Sequence, residues 1–177
     1  MIFSRTAVSY TSISRLSPSS STTRKRMHRR EPRTYDPTNG EAHMLTDKIQ
    51  ITTLPITDTF TQQRRLLQDR GELALIEDGT PFRHLGYFSL RPGSGFYRGG
   101  HYHLRKTEFF YVVGGRAHIR LVDLDTGQRS ETVLEAGQRV KIKPRCAHRF
   151  EAEQEVHVIE YYDGVYDRED DHPYQDF

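Results

Sequence analysis

From about Lys48 onward the apolar residues come in short runs at close spacing, each broken by Gly, Pro or Asp, a texture that admits strands and turns and leaves little room for helices. The runs place strands at Ile49 to Thr53, Glu72 to Ile76, Leu85 to Leu90, Phe96 to His103, Glu108 to Val113, Ala117 to Leu124, Glu131 to Leu134, Arg139 to Ile142 and Val156 to Tyr162. Turn residues join them: Gly79, Pro92-Gly93, Gly114-Gly115, Asp125-Thr126-Gly127, Ala136-Gly137 and Pro144. Only Phe60 to Gln68 reads as helix. The stretch 108 to 124 reads as a β-hairpin about Gly114-Gly115, with Ala117, Ile119 and Leu121 on one face and Arg116, His118 and Arg120 on the other. Many short strands with regular turns specify an all-β sandwich or small barrel.

Charge then divides the chain. The formal net charge of +2 and pI near 8.7 suggest nucleic acid, but residues 1 to 30 hold seven basic residues and no acidic one. Residues 31 to 177 carry 19 basic against 24 acidic, a net of −5, so the folded part is not a nucleic-acid binder. The leader, with eight Ser and six Arg, has the composition of a disordered extension or an organelle transit peptide, unless translation begins at Met27 or Met44. The expected layout is a disordered or transit-like extension over 1–43, a lead-in strand and short helix over 44–69, a barrel over 70–166 and an exposed acidic tail over 167–177. Ile49 to Thr53 either joins its own barrel or adds to a partner's sheet edge. A lone Cys146 forms no internal disulfide, and no apolar run is long enough to span a bilayer. The expected location is the cytoplasm, or an organelle if the leader directs import.

The chemistry concentrates in residues 95 to 115, GFYRGGHYHLRKTEFFYVVGG, where Gly95, His101, His103, Glu108 and Gly115 stand at the spacing G-x5-H-x-H-x4-E-x6-G. Alternation along a strand puts His101 and His103 on one face, joined by Tyr97 if the strand stays regular through Gly99-Gly100. A turn over Leu104 to Thr107 returns the carboxylate of Glu108 beside the pair, and His148, eleven residues beyond Gly137, supplies a fourth ligand. Three imidazoles and a carboxylate suit a divalent transition metal (Zn, Fe, Mn, Ni or Co) with positions left open for water or substrate.

The 95–115 motif resembles the first motif of the cupin superfamily, and 137–148 resembles the second. The second departs from the family pattern: the chain has Pro144-Arg145-Cys146-Ala147-His148 and Ala152, where the family carries Pro-x-Gly-x-x-His and a later Asn. The resemblance implies a double-stranded β-helix (jelly-roll, cupin barrel) with the site in its lumen, His101, His103, Glu108 and His148 as metal ligands, and a homodimer. Arg70-Gly71-Glu72-Leu73, Ile76-Glu77 and Arg98-Gly99-Gly100-His101-Tyr102-His103 look like the nucleotide-sugar ketoisomerases and epimerases and the cupin half of capsular-sugar reductases. The run from Val158-Ile159-Glu160 to Glu169-Asp170-Asp171 is similar to the end of cupin mannose-6-phosphate isomerases.

The expected function is therefore a metal-binding sugar or nucleotide-sugar isomerase or epimerase, which moves a proton alpha to a carbonyl. Metal ties up the ligand imidazoles, leaving Tyr97 and Glu160 as the candidates for the proton transfer; some nucleotide-sugar members of the family work without metal, and His103 would then be the base and Tyr97 the acid. Arg98, Arg105, Lys106, Arg145 and Arg149 flank the motifs and are the candidate cations for a phosphate or nucleotide. Two other readings are a non-haem metal dioxygenase and a non-catalytic metabolite-binding protein. His118 reads as surface, Cys146 as packing; His84, His157 and His172 take no role.

Overall fold

The computed structural model describes residues 43–59 and 63–177, with side chains from Asp47 onward. The extension expected over 1–43 lies outside the described residues up to position 42, as do residues 60–62 of the expected helix.

Strands β1 (His43–Thr46), β2 (Ile49–Thr53), β3 (Arg64–Gln68), β4 (Gly71–Leu75), β5 (His84–Leu90), β6 (Arg98–Tyr102), β7 (Glu108–Asp123), β8 (Arg129–Glu135), β9 (Gln138–Ile142), β10 (Cys146–Tyr162) and β11 (His172–Pro173) follow in chain order, with one 3₁₀ turn at Arg168–Asp170. Nine of them form an antiparallel sheet running β1-β2-β9-β7-β10-β6-β11, with β5 on β10 and β8 on β7; β3 and β4 make a separate hairpin. The two long strands serve both walls. The first half of β7 pairs with β9 and the end of β10, which also carries β5; the second half pairs with β8 and the start of β10, which carries β6. This is the jelly-roll barrel that the strand pattern and motif resemblance implied. Ile49 to Thr53 joins its own barrel, with Ile49 opposite Ile142 and Thr53 opposite Gln138.

Alternation fills the interior. Ala117, Ile119 and Leu121 from one wall and Phe110, Val112, Val140, Val156 and Val158 from the other are buried in one cluster, each larger side chain contributing about 1.5–3 kcal/mol by leaving water. Their neighbours His118 and Arg120 face outward and are half-buried.

Three expectations are corrected. The stretch about Gly114-Gly115 is not a hairpin turn: β7 runs unbroken for 16 residues. The glycines sit at a bulge, where β10 slips register between Ala152 and Val158. Gly115 has φ +83, and a Cβ there would stand 1.9 Å from the Glu155 carbonyl oxygen, so the glycine permits a close backbone approach between the walls. Second, Arg64 to Gln68 is a strand despite its helix-forming residues. It pairs with β4, and Arg65 grips Glu72 through two bonds of 2.7 and 3.0 Å, a tertiary contact that overrides weak local propensity. Third, Asp167 to Asp171 is not a freely exposed tail, because Asp170 is only 4% exposed and β11 adds to the edge of β6.

Candidate functional site

Three strands bring the histidines and Glu108 together. β6 carries His101 and leads into His103, β7 opens with Glu108, and the start of β10 places His148 opposite His101. One ligating atom from each of His101, His103, Glu108 and His148 lies within 4.8 Å of all the others, close to the ~4.2 Å that separates ligands on opposite sides of a single ion. His103, Glu108 and His148 are 4%, 2% and 1% exposed.

The hydrogen bonds fix the tautomers. Nδ1 of His101 is 2.5 Å from Oδ1 of Asp171, Nδ1 of His148 is 3.2 Å from the Cys146 carbonyl, and Nδ1 of His103 meets the Asp170 carbonyl. Those oxygens only accept, so each neutral ring keeps its proton on Nδ1 and turns a lone pair on Nε2 elsewhere. For His103 and His148 that lone pair faces Glu108, at 3.2 Å from Oε1 and 3.3 Å from Oε2. Neither His103 Nε2 nor Glu108 Oε2 makes a hydrogen bond of acceptable geometry among the described residues. Buried acceptors aimed at one point suit a cation, and the donor set of three imidazoles and a carboxylate fits a divalent transition metal.

The electrostatics keep Glu108 a carboxylate and favour the neutral form of His101 and His148. Burial opposes the charge on Glu108, yet the neighbouring His103, His148 and Lys106 hold the carboxylate far below its ordinary range. Burial pushes His148 down to about 4 and lowers His101 as well, so both remain neutral, lone-pair donors at neutral pH. Burial also works against His103, but the adjacent Glu108 outweighs it and raises that pKa.

Above the cluster opens a cavity of about 340 Å³ with His101, Glu108 and His148 in its lining, Phe88, Phe110 and Phe150 as apolar wall, and His84, Tyr87, Arg98 and Glu160 as further polar residues. Glu160 lies opposite Gly86 on β5. Its Oε1 is 3.9 Å from Nε2 of His84, whose ring stacks on Tyr162 at 4.2 Å. Burial, then the nearby Glu108 charge, raises the Glu160 pKa; burial and the Lys106 charge lower that of His84.

The other expected residues separate. Arg98 reaches the cavity, with its guanidinium 5.9 Å from the Phe88 ring centre. Lys106 lies beside the cluster, with Nζ 2.9 Å from Glu108 Oε1 and 4.2 Å from the Tyr162 ring centre. Arg105 is taken by Asp167, Arg145 by Asp125, and Arg149 by Glu151 at 2.7 Å. Tyr97 is 49% exposed and packs on the Arg149 guanidinium, outside the cavity lining. Gly99 and Gly100, with φ of +76 and +79, rotate the chain between Tyr97 and His101 and end the alternation that would have put them on one face. His103 faces the cluster and is likewise outside the lining. The sequence reading missed His84, Asp170 and Asp171. His84 had a signal, its even spacing with Gly86 and Phe88, that becomes informative only once β5 is known to pair with β10. For the aspartates nothing local distinguishes a buried acceptor from a solvated acidic run.

Residues 69–174 match the model of the family described as the polysaccharide biosynthesis C-terminal domain. No curated protein matches the chain. Among solved structures, a mutant 3,4-ketoisomerase from Thermoanaerobacterium thermosaccharolyticum in complex with TDP-4-keto-6-deoxyglucose is 14% identical, covers 71% of this chain and 87% of its own, and superposes with a TM-score of 0.58. The TDP-quinovose 3,4-ketoisomerase of Campylobacter jejuni is 17% identical, over 72% of this chain and 93% of its own, at 0.57. The dTDP-4-dehydrorhamnose 3,5-epimerase of Sulfolobus tokodaii is 19% identical, over 74% and 79%, at 0.60. At these identities the likeness is one of fold, the cupin barrel.

Proposed function

The chain belongs to the polysaccharide biosynthesis C-terminal domain family, and from that premise we propose that it isomerises or epimerises a nucleotide-linked keto sugar by moving a proton alpha to the carbonyl. The observation that carries the reading is the placement of Glu160, a half-buried carboxylate of raised pKa, in the same cavity as His101, Glu108 and His148. A base and a polarising centre on one small cavity are what enolisation requires.

A divalent ion held by His101, His103, Glu108 and His148 would polarise the sugar carbonyl and stabilise charge on its oxygen. Glu160 takes the proton from the carbon beside that carbonyl. Its pKa, raised by burial and by the Glu108 charge, makes it a stronger base than an exposed carboxylate. His84, 3.9 Å away and kept neutral, accepts or returns a proton beside it. Delivery of that proton to the former carbonyl carbon, with the hydroxyl proton of the first carbon passing to the former carbonyl oxygen, gives isomerisation; epimerisation returns a proton to the opposite face of the same carbon and requires a second donor there. Phe88, Phe110 and Phe150 exclude water from the sugar, and Arg98 offers a cation to a diphosphate. Burial of His103 outside the lining, with its pKa raised, argues against a metal-free role for it as base. We read the protein as a homodimer, a reading supported by Leu85, Tyr87 and Val113, which stand exposed on β5 and β7.

The test is to incubate metal-loaded protein with a panel of nucleoside diphosphate keto sugars, TDP-4-keto-6-deoxyglucose included, and follow the sugar carbonyl by ¹³C NMR. A moved carbonyl or an inverted neighbouring carbon supports the reading. Oxygen uptake with cleavage of the ligand, or binding without change, overturns it.

A further inference from the structure

We infer that the C-terminal segment from Asp167 to Pro173 is a working part of the metal centre, in which Asp171 is a positioning residue that sets the metal affinity of His101. The inference rests on the metal reading above and concerns residues outside the ligand set.

The segment meets the centre at three levels. Its 3₁₀ turn is capped by Asp167, which accepts the N–H of Glu169 at 2.9 Å, and this aims the buried Asp170 side chain inward. The Asp170 carboxylate accepts the backbone N–H groups of Leu104, Arg105 and Lys106 at 2.8, 3.2 and 3.2 Å. It thereby shapes the loop that separates His103 from Glu108. The carbonyl of the same residue takes the Nδ1 proton of His103, and the Asp171 carboxylate takes that of His101 at 2.5 Å. Beyond them His172 and Pro173 pair with Tyr102 and His101, and the Tyr174 N–H reaches the Gly100 carbonyl at 2.7 Å.

Edge pairing alone would hold the segment in place. It does not require that two successive residues each put an acceptor on the Nδ1 atom of a different histidine of the pair. That arrangement orients both rings and turns both Nε2 lone pairs inward. A carboxylate behind a ligating imidazole also raises its basicity, and loss of such a partner typically costs 10–100-fold in metal affinity. Asp171 is partly exposed and, unlike Asp170, holds no loop backbone, so its removal separates the metal role from folding.

The experiment uses the full chain as wild type, Asp171→Ala and Asp171→Asn, each stripped with chelator and titrated with Co(II) by calorimetry, with visible absorption recorded in parallel. Asp171→Ala is expected to weaken Co(II) binding about 10–100-fold and to change the Co(II) spectrum, while the melting temperature of the metal-free protein stays within about 2 °C of wild type. Asp171→Asn keeps an acceptor oxygen without the charge and is expected to fall between the two. Wild-type affinity in Asp171→Ala overturns the inference, as does an affinity loss matched by an equal loss of metal-free stability. If Asp171→Ala does not fold, Asp171→Asn decides: binding about threefold or more weaker supports the inference, and unchanged binding overturns it. Wild-type protein that binds no Co(II) overturns the metal reading and this inference with it, whereas tight wild-type binding with unaffected variants overturns this inference alone.

Discussion

Nε2 of His148 faces Oε2 of Glu108 across 3.3 Å, in a position where both residues are almost wholly removed from water. Two lone pairs at that distance repel unless a cation lies between them, and His103 and His101 complete a set of donors around the same point.

Metal should therefore stabilise the fold. A ligand that binds only the folded chain adds about 2.7 kcal/mol at a hundred times its dissociation constant, which corresponds to several degrees in a domain of this size. Stripping with chelator is expected to lower the melting temperature by that amount, Zn(II) or Co(II) to restore it, and His148→Ala to abolish the response. Thermal-shift measurements with and without metal check this.

The metal-free protein should lose stability in acid through His148. Its pKa of about 4 in the fold lies below the ordinary imidazole value of 6.5, so between those values the unfolded chain binds the extra proton. The contribution is complete above pH 6.5 and vanishes as pH falls through about 4; His103, whose pKa is raised, acts in the opposite sense. Urea unfolding of wild type and His148→Asn at pH 7 and pH 4.5 is expected to show wild type losing roughly 2 kcal/mol more than the variant.

The bulge in β7 makes its two glycines unequal. Gly115→Ala forces a Cβ against the Glu155 carbonyl at a positive φ and is expected to cost about 3 kcal/mol or more. Gly114→Ala meets nothing within 4 Å and is expected to stay within about 1 kcal/mol of wild type. Chemical denaturation of the two variants compares them directly, and equal costs would contradict a continuous strand through this point.

Glu160→Gln keeps the shape of the side chain and removes the base. It is expected to lower kcat about 100-fold or more with little change in KM. In wild type, kcat/KM should rise with pH as Glu160 ionises, through a midpoint displaced above the ordinary carboxylate range, and be lost as pH falls below it. The variant should lack that limb. Steady-state rates from pH 4 to 8 on the active substrate test both statements.

Much of this site was legible because a spacing motif records local geometry. His101, His103 and Glu108 lie on two strands consecutive in the chain and the loop between them, and the eleven-residue interval from Gly137 preserved His148. The barrel was legible from short apolar runs whose alternation survives in β7. What local sequence concealed was long-range. Whether Gly114-Gly115 turns the chain back or bulges a continuing strand depends on the partner β10. The Gly99-Gly100 step separates Tyr97 from the histidines through backbone torsion that side-chain pattern does not record. Arg64 to Gln68 becomes a strand because Glu72 receives Arg65, and Asp170 is buried because His103 and the 104–106 loop need its oxygens.

Solvent deuterium entering a bound keto sugar tests the central claim most directly. Metal-loaded protein incubated in D₂O with TDP-4-keto-6-deoxyglucose and its nucleoside diphosphate relatives is expected to place one deuterium at the carbon beside the carbonyl of its substrate, seen by mass spectrometry and NMR. Glu160→Gln, with metal content unchanged, is expected to place almost none. Unchanged substrate mass across the panel after prolonged incubation with fully metal-loaded wild type would contradict the account.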